Sequence, residues 1–161
     1  MRRLVAILLF VVIFAAGCTK ATPVNVPIVT IEDNDPQLKV AIEKARETLP
    51  DFVRALNAPK PSQRGFAIKT PISDGKITEH MWLSPVTFDG TKYHGTVNNH
   101  PEKVTGVKLG SLRVIEPHQV TDWMYVEDKK LVGGFTIRVA RDKLSPKERI
   151  EFERMTPFLF D

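Results

Sequence analysis

The chain has one cysteine, Cys18, in 161 residues, so no disulfide can form within it and its core must hold by packing alone. No apolar run is long enough to span a bilayer: the longest, Leu4 to Ala16, is 13 residues, against the ~20 a membrane-crossing helix needs. A Gly-x-Ser-x-Gly nucleophile elbow is missing, and so is a phosphate-cradling glycine loop. The four histidines, His80, His94, His100 and His118, match no metal-ligand spacing, so neither a metal nor another cofactor is expected. Basic residues are scattered rather than clustered. Despite a formal charge of +4 and a pI near 9.3, nucleic acid is therefore not an expected partner. Internal repeats and low-complexity segments are lacking too.

What is present suits one globular domain. Hydrophobic residues make up 42% and charged residues 26%, which is ordinary for a folded chain of this length. The two ends of the apolar run mark it as a leader. Met1-Arg2-Arg3 is a short positive head, and Ala15-Ala16-Gly17 is a small-residue processing site before Cys18. Without Arg2 and Arg3 the charge falls to 21 basic against 19 acidic residues, or +2. The Ala-Ala-Gly-Cys string resembles the lipobox of bacterial lipoproteins, with Ala15 where a larger aliphatic residue is more usual. That resemblance implies a diacylglyceryl group on the Cys18 thiol, cleavage after Gly17 and acylation of the new amino terminus. Several acyl chains are needed for firm anchoring, because each buried CH₂ contributes only about 0.8 kcal/mol. Membrane lipid is thus the expected partner of Cys18, and the cell envelope the expected location. Thr19, rather than Asp, resembles lipoproteins sent on to the periplasmic face of the outer membrane in a Gram-negative cell.

The expected organisation is a signal peptide over 1–17, an extended tether over 18–34 and a single domain over 35–161. Asp35-Pro36 is a helix start, with an N-cap carboxylate and proline at the first helical position. Leu38, Ala41, Ile42, Ala45 and Leu49 then follow helical spacing until Pro50 breaks it. A second short helix is expected over Asp51 to Leu56. Strands dominate after the 59–65 loop: Phe66–Lys69, the stretch around 79–83, Ser111–Ile115, Asp122–Val126, and a long strand over Leu131–Val139 bulged at Gly133-Gly134. Ser145-Pro146-Lys147-Glu148 has the form of a capping box opening a last short helix. The fold class is α+β: N-terminal helices on a mainly antiparallel sheet of about five to six strands, closed by a short C-terminal helix.

Glu79-His80-Met81-Trp82-Leu83 reads as the central strand, between the turns Asp74-Gly75 and Asp89-Gly90. Side chains alternate along a strand, so Met81 and Leu83 face a core while His80, Trp82 and Ser84 face the other way. Two-residue hairpin turns at both glycines would set Lys69 opposite His80, Ala67 opposite Trp82, Gly95 opposite Ser84 and Asn99 opposite His80. One face then carries Lys69, His80, Trp82 and Asn99, and Gly95 leaves room for the indole. Asp122 and Arg138 join these as candidate ligand contacts, with Trp82, Tyr93 and Trp123 as an aromatic platform. Asp122-Trp123 has a plainer reading as well: Asp122 bonds backbone or Arg138 while Trp123 fills the core.

The combination of Glu-His-Met-Trp at 79–82, Gly95 with Asn98 and Pro101, Gly110, Asp122-Trp123-Met124-Tyr125, and Gly133-Gly134-Phe135-Thr136 with Arg138 resembles the YegJ-like domain-of-unknown-function family of bacteria, number 2314. The likeness runs from about Asp35 to Phe152. It implies a compact α+β domain and carries no established activity. The expected function is a membrane-tethered, non-enzymatic binding or accessory domain of the envelope, engaging an unidentified protein, peptide or glycan. The alternatives are a small hydrolase or metal-dependent enzyme using His80 and Asp122, with Ser84 or Thr136 as nucleophile, and a purely structural envelope protein.

Overall fold

A computed structural model describes residues 4–7, 29–32 and 34–160. Cys18 and most of the stretches read as signal peptide and tether lie outside them. Strand β1 (Leu4–Ile7) pairs antiparallel with β2 (Val29–Glu32), Leu4 opposite Glu32 and Ile7 opposite Val29. Ile31 packs with Leu38 and Ala140, so close packing reaches back into the segment read as tether. Among the described residues no helix is long and apolar enough to cross a membrane.

The domain forms as its local signals dictate. Asp35 caps α1 (Pro36–Glu47) by accepting from the Gln37 and Leu38 amides at 2.9 and 3.2 Å, and Leu38, Ala41 and Ala45 are its buried stripe. Pro50 cannot continue that helix, so Thr48 turns the chain into α2 (Leu49–Asn57), which buries Leu49 and Phe52. Six strands follow in one antiparallel sheet: β3 (Gln63–Ser73), β4 (Thr78–Phe88), β5 (Tyr93–Val97), β6 (Leu112–Ile115), β7 (Asp122–Glu127) and β8 (Lys130–Gly133). Their spatial order is β6-β5-β4-β3-β7-β8. Helix α3 (Phe135–Asp142) and helix α4 (Pro146–Met155) come last, and α4 carries the reciprocal Ser145–Glu148 capping box. The class is α+β.

Both faces of the sheet are core. On one, Ile68, Leu83, Trp123 and Tyr125 pack against Ala45, Leu49 and Phe52. On the other, Ala67, Trp82, Met124 and Val126 pack against Ile137, Phe152 and Phe158. Met81, Trp82 and Leu83 are consequently all buried, and the expected division of β4 into a core face and a free face gives way. The cause is α3. Phe135-Thr136-Ile137-Arg138-Val139 has strand-like residue types, yet it folds as helix because Gly133 and Gly134 both take positive φ, 73° and 63°, and turn the chain off the sheet. A Cβ on Gly133 would lie 2.3 Å from the Trp123 carbonyl oxygen, so the paired glycines are a strand-to-helix turn rather than a mid-strand bulge.

Register also departs from two-residue turns. Ser73 pairs with Thr78, so residues 74–77 form a longer loop and Lys69 faces Trp82 while Pro71 faces His80. The Asp74 carboxylate accepts from the Lys76 and Ile77 amides, which stabilises that four-residue turn. A shift of two preserves the face of every side chain. Between β4 and β5 the ladder slips at Ser84-Pro85, so Gly95 faces Val86 and Val97 faces Leu83. A Cβ on Gly95 would sit 2.9 Å from Leu83 Cβ, so this glycine admits Leu83 and not Trp82.

Candidate functional site

Three of the residues singled out from sequence meet on one face. Lys69 pairs with Trp82 across β4 and with Asp122 across β7. Lys69 is 1% exposed and its Nζ lies 5.6 Å from the Trp82 ring centroid, within cation–π range. That ammonium also donates to Thr136 Oγ1 at 3.2 Å, and Thr136 donates in turn to Asp122 Oδ2 at 2.7 Å. A lysine, a threonine and an aspartate thus form a chain inside the core, roofed by an indole.

Asp122 has no exposed surface, and all four of its contacts are donors. Its Oδ1 accepts from the Trp123 and Phe135 amides at 2.8 and 3.1 Å, and its Oδ2 accepts from the Thr136 amide at 2.8 Å and the Thr136 hydroxyl. Two of these amides open α3, which Gly134 precedes without a side-chain cap of its own. Asp122 therefore caps α3 from a neighbouring strand, where the helix N-terminus favours a negative charge. Burial pushes its pKa up, while Thr136, Lys69 and the backbone donors pull the other way. Three backbone amides and a hydroxyl directed at the carboxylate oppose that upward push. Burial lowers the Lys69 ammonium to about 8, with Asp122 opposing.

His80 stands beside this chain, half-buried, with Nδ1 3.1 Å from Thr121 Oγ1. Burial first, then the Lys69 and Arg46 charges, lower its pKa to about 3, so the ring is neutral across physiological pH. The Thr121 hydroxyl donates to the Lys69 carbonyl, and the Ser84 hydroxyl donates to the Phe66 carbonyl. His80 thus meets a hydroxyl, but that hydroxyl is already held by the backbone.

The other candidates are placed differently. Asn99 does not face His80; its side-chain oxygen accepts from the Trp82 amide at 2.9 Å, standing in for the ladder partner that β5 no longer supplies beyond Val97. Arg138 donates to the Gly133 and Leu131 carbonyls at 3.2 and 2.9 Å, and its guanidinium lies 5.9 Å from the Phe160 ring. Trp123 fills the core, its indole N–H on the Ala45 carbonyl at 2.9 Å and its ring against Phe52, Tyr125 and Phe135. Glu79 holds the 102–104 amides with both oxygens, pinning that loop to β4. Among the described residues no three His, Cys, Asp or Glu side chains converge as a metal set.

Sequence reasoning missed Thr121 and the cross-strand capping by Asp122, and it took Thr136 only as a strand nucleophile. The Gly133-Gly134 pair marks a turn, but that a helix follows and that Asp122 supplies its missing cap shows only in the fold.

Comparison with known proteins gives a family without a biochemical role. A profile described as "Uncharacterized protein conserved in bacteria (DUF2314)" matches residues 35–160. "Uncharacterized protein YegJ" of Escherichia coli K12 is 38% identical over 97 residues, covering 60% of this chain and 62% of that protein. A putative ankyrin repeat protein of Neisseria meningitidis serogroup B is 34% identical over 131 residues, covering 76% of this chain and 52% of that one. The chain thus spans less than two thirds of the length of either curated relative. No solved structure matches. With the profile covering the whole packed region from α1 to the C-terminal segment, the chain belongs to the DUF2314 family of bacterial proteins.

Proposed function

We propose that the chain is a lipid-anchored binding or accessory domain of the bacterial cell envelope that performs no catalysis of its own. The observation that carries this reading is the lone Cys18, placed after an apolar run of 13 residues and a small-residue processing site. Acylated there, the domain would face the periplasm from a membrane surface, with 19–28 between the anchor and the packed strand β2. Its partner would be an envelope protein, a peptide or a glycan.

The interior speaks against chemistry at the buried cluster. Asp122 is saturated by four donors, His80 meets a hydroxyl already engaged with backbone, and Lys69 and Thr136 are sealed from solvent. These side chains hold the scaffold together. The competing hydrolase reading has one contact in its favour, the Thr136 hydroxyl between the Lys69 amine and the Asp122 carboxylate. That hydroxyl is engaged on both sides within the core, accepting from Lys69 and donating to Asp122, so it is held in place rather than presented to a substrate.

Cell fractionation with Cys18→Ser tests the anchor. The variant is expected to move from the membrane fraction to the soluble fraction with its melting curve unchanged; continued membrane association would overturn the reading. Esterase or peptidase turnover by the purified chain that vanishes in Thr136→Val would establish the competing one.

A further inference from the structure

A groove of about 450 Å³ opens between the α1–α2 corner and the β4–β5 hairpin, lined by none of Lys69, Asp122 and Thr136. Leu49 and Val53 of α2, Phe88 of β4 and Pro117 form apolar walls. That size and lining fall within the range of small-molecule sites, which combine apolar walls with a few placed polar groups.

Two polar groups there have capacity to spare. Tyr93 is 1% exposed, with its ring 4.7 Å from Phe88 and 6.4 Å from Phe52. Its hydroxyl has no hydrogen-bond partner among the described residues. Tyr93 is one of the residues that line the groove. Burial pushes its pKa up to about 12, so it stays a neutral donor. Arg46 supplies the charge. Its Nε donates to the Val120 carbonyl at 3.1 Å, which fixes the guanidinium at the groove and leaves its terminal nitrogens without an acceptor among the described residues. Arg54 at the rim is already paired with Asp51.

We propose that this groove binds a small amphipathic carboxylate, its apolar body between Val53 and Phe88 and its head accepting from Arg46 and Tyr93. A cation held by its own backbone contact, in a groove that Tyr93 also lines, selects an anionic head. The apolar walls select a hydrocarbon or aromatic body rather than an inorganic anion or a sugar. The inference deepens the binding-domain reading and rests on it only for the premise that the domain binds a ligand.

The test uses the full chain purified from whichever fraction holds it, membrane or soluble, titrated calorimetrically with 4-phenylbutyrate, with the matching lipid or buffer blank subtracted. Its uncharged amide, 4-phenylbutyramide, and inorganic phosphate are the comparison probes. Saturable one-to-one binding of the carboxylate is expected, with the amide and phosphate at least about tenfold weaker. Arg46→Gln should weaken the carboxylate about tenfold, Tyr93→Phe several-fold, and Val53→Trp should block it while melting curves stay close to that of the parent. No saturable binding, equal affinity for the amide, or no loss in Arg46→Gln overturns the proposal. Such a failure would leave the outcome of the Cys18→Ser fractionation as it stands, so ligand class and anchor are judged separately.

Discussion

Asp122→Ala is the perturbation on which the buried cluster turns. It strips four donors of their acceptor: the Trp123, Phe135 and Thr136 amides and the Thr136 hydroxyl. It also leaves the Lys69 ammonium in the core with no countercharge. Lys69 and Asp122 are joined through the Thr136 hydroxyl; taking them as a buried pair, removal of one partner costs about 3–5 kcal/mol, and loss of a helix cap about 1 kcal/mol. The two overlap, so about 4 kcal/mol is expected, a large part of the roughly 5–15 kcal/mol that holds a domain of this size. Lys69→Met separates the terms, since its stem keeps the contact with Trp82 and its head carries no charge. In that background the stranded-ammonium penalty is gone, and Asp122→Ala should cost only about 2 kcal/mol. Urea denaturation of the four proteins, followed by Trp fluorescence and far-UV circular dichroism, gives the coupling directly. About 2 kcal/mol is predicted. Costs equal within about 0.5 kcal/mol in the two backgrounds would refute the reasoning, because independent sites add. Should Asp122→Ala fail to accumulate, Asp122→Asn keeps one acceptor for the helix and the same cycle applies.

Acid should destabilise the domain through His80. Its folded pKa of about 3 lies below the ordinary 6.5, so the unfolded chain binds the proton first and stability falls as pH drops from about 6.5 toward 3. At pH 5 the loss is at most about 2 kcal/mol; urea midpoints at pH 7 and pH 5 should show it in the parent and less of it in His80→Gln, and parallel slopes would contradict the assignment. Gly133→Ala should prevent folding, since its Cβ would meet the Trp123 carbonyl at 2.3 Å, whereas Gly75→Ala at φ 89°, with open space around it, should cost about 1 kcal/mol. Comparable melting temperatures for the two would be the contrary result. Glu79→Ala should raise amide hydrogen exchange at 102–104 while β3 and β7 keep their protection; unchanged exchange there would mean the loop is held by other contacts.

How much of this was legible in the sequence depended on whether the cue was local. The Asp35 cap and the Ser145 box are contacts within four residues and stand where expected, whereas the break expected at Pro50 falls at Thr48, with Pro50 in the first turn of α2. The shared face of Lys69, His80 and Trp82 survived a wrong turn length, because the loop at 74–77 shifted the register by two. Helix α3 was not legible: Phe135–Val139 has strand propensities, and the helix is imposed by two positive-φ glycines and by a carboxylate thirteen residues earlier. The burial of the second face followed from that same helix. The pairing of Gly95 with Val86, and its packing against Leu83, depended on the slip at Ser84-Pro85, which alternation does not reveal.

The claim that governs the rest is attachment through residue 18, and mass spectrometry of the N-terminal peptide from the membrane-extracted native protein addresses it most directly. The account predicts a peptide beginning at Cys18, heavier by a diacylglyceryl group and an amide-linked acyl chain. A peptide that carries an unmodified Cys18 thiol, or that still includes Ala15-Ala16-Gly17, would contradict it.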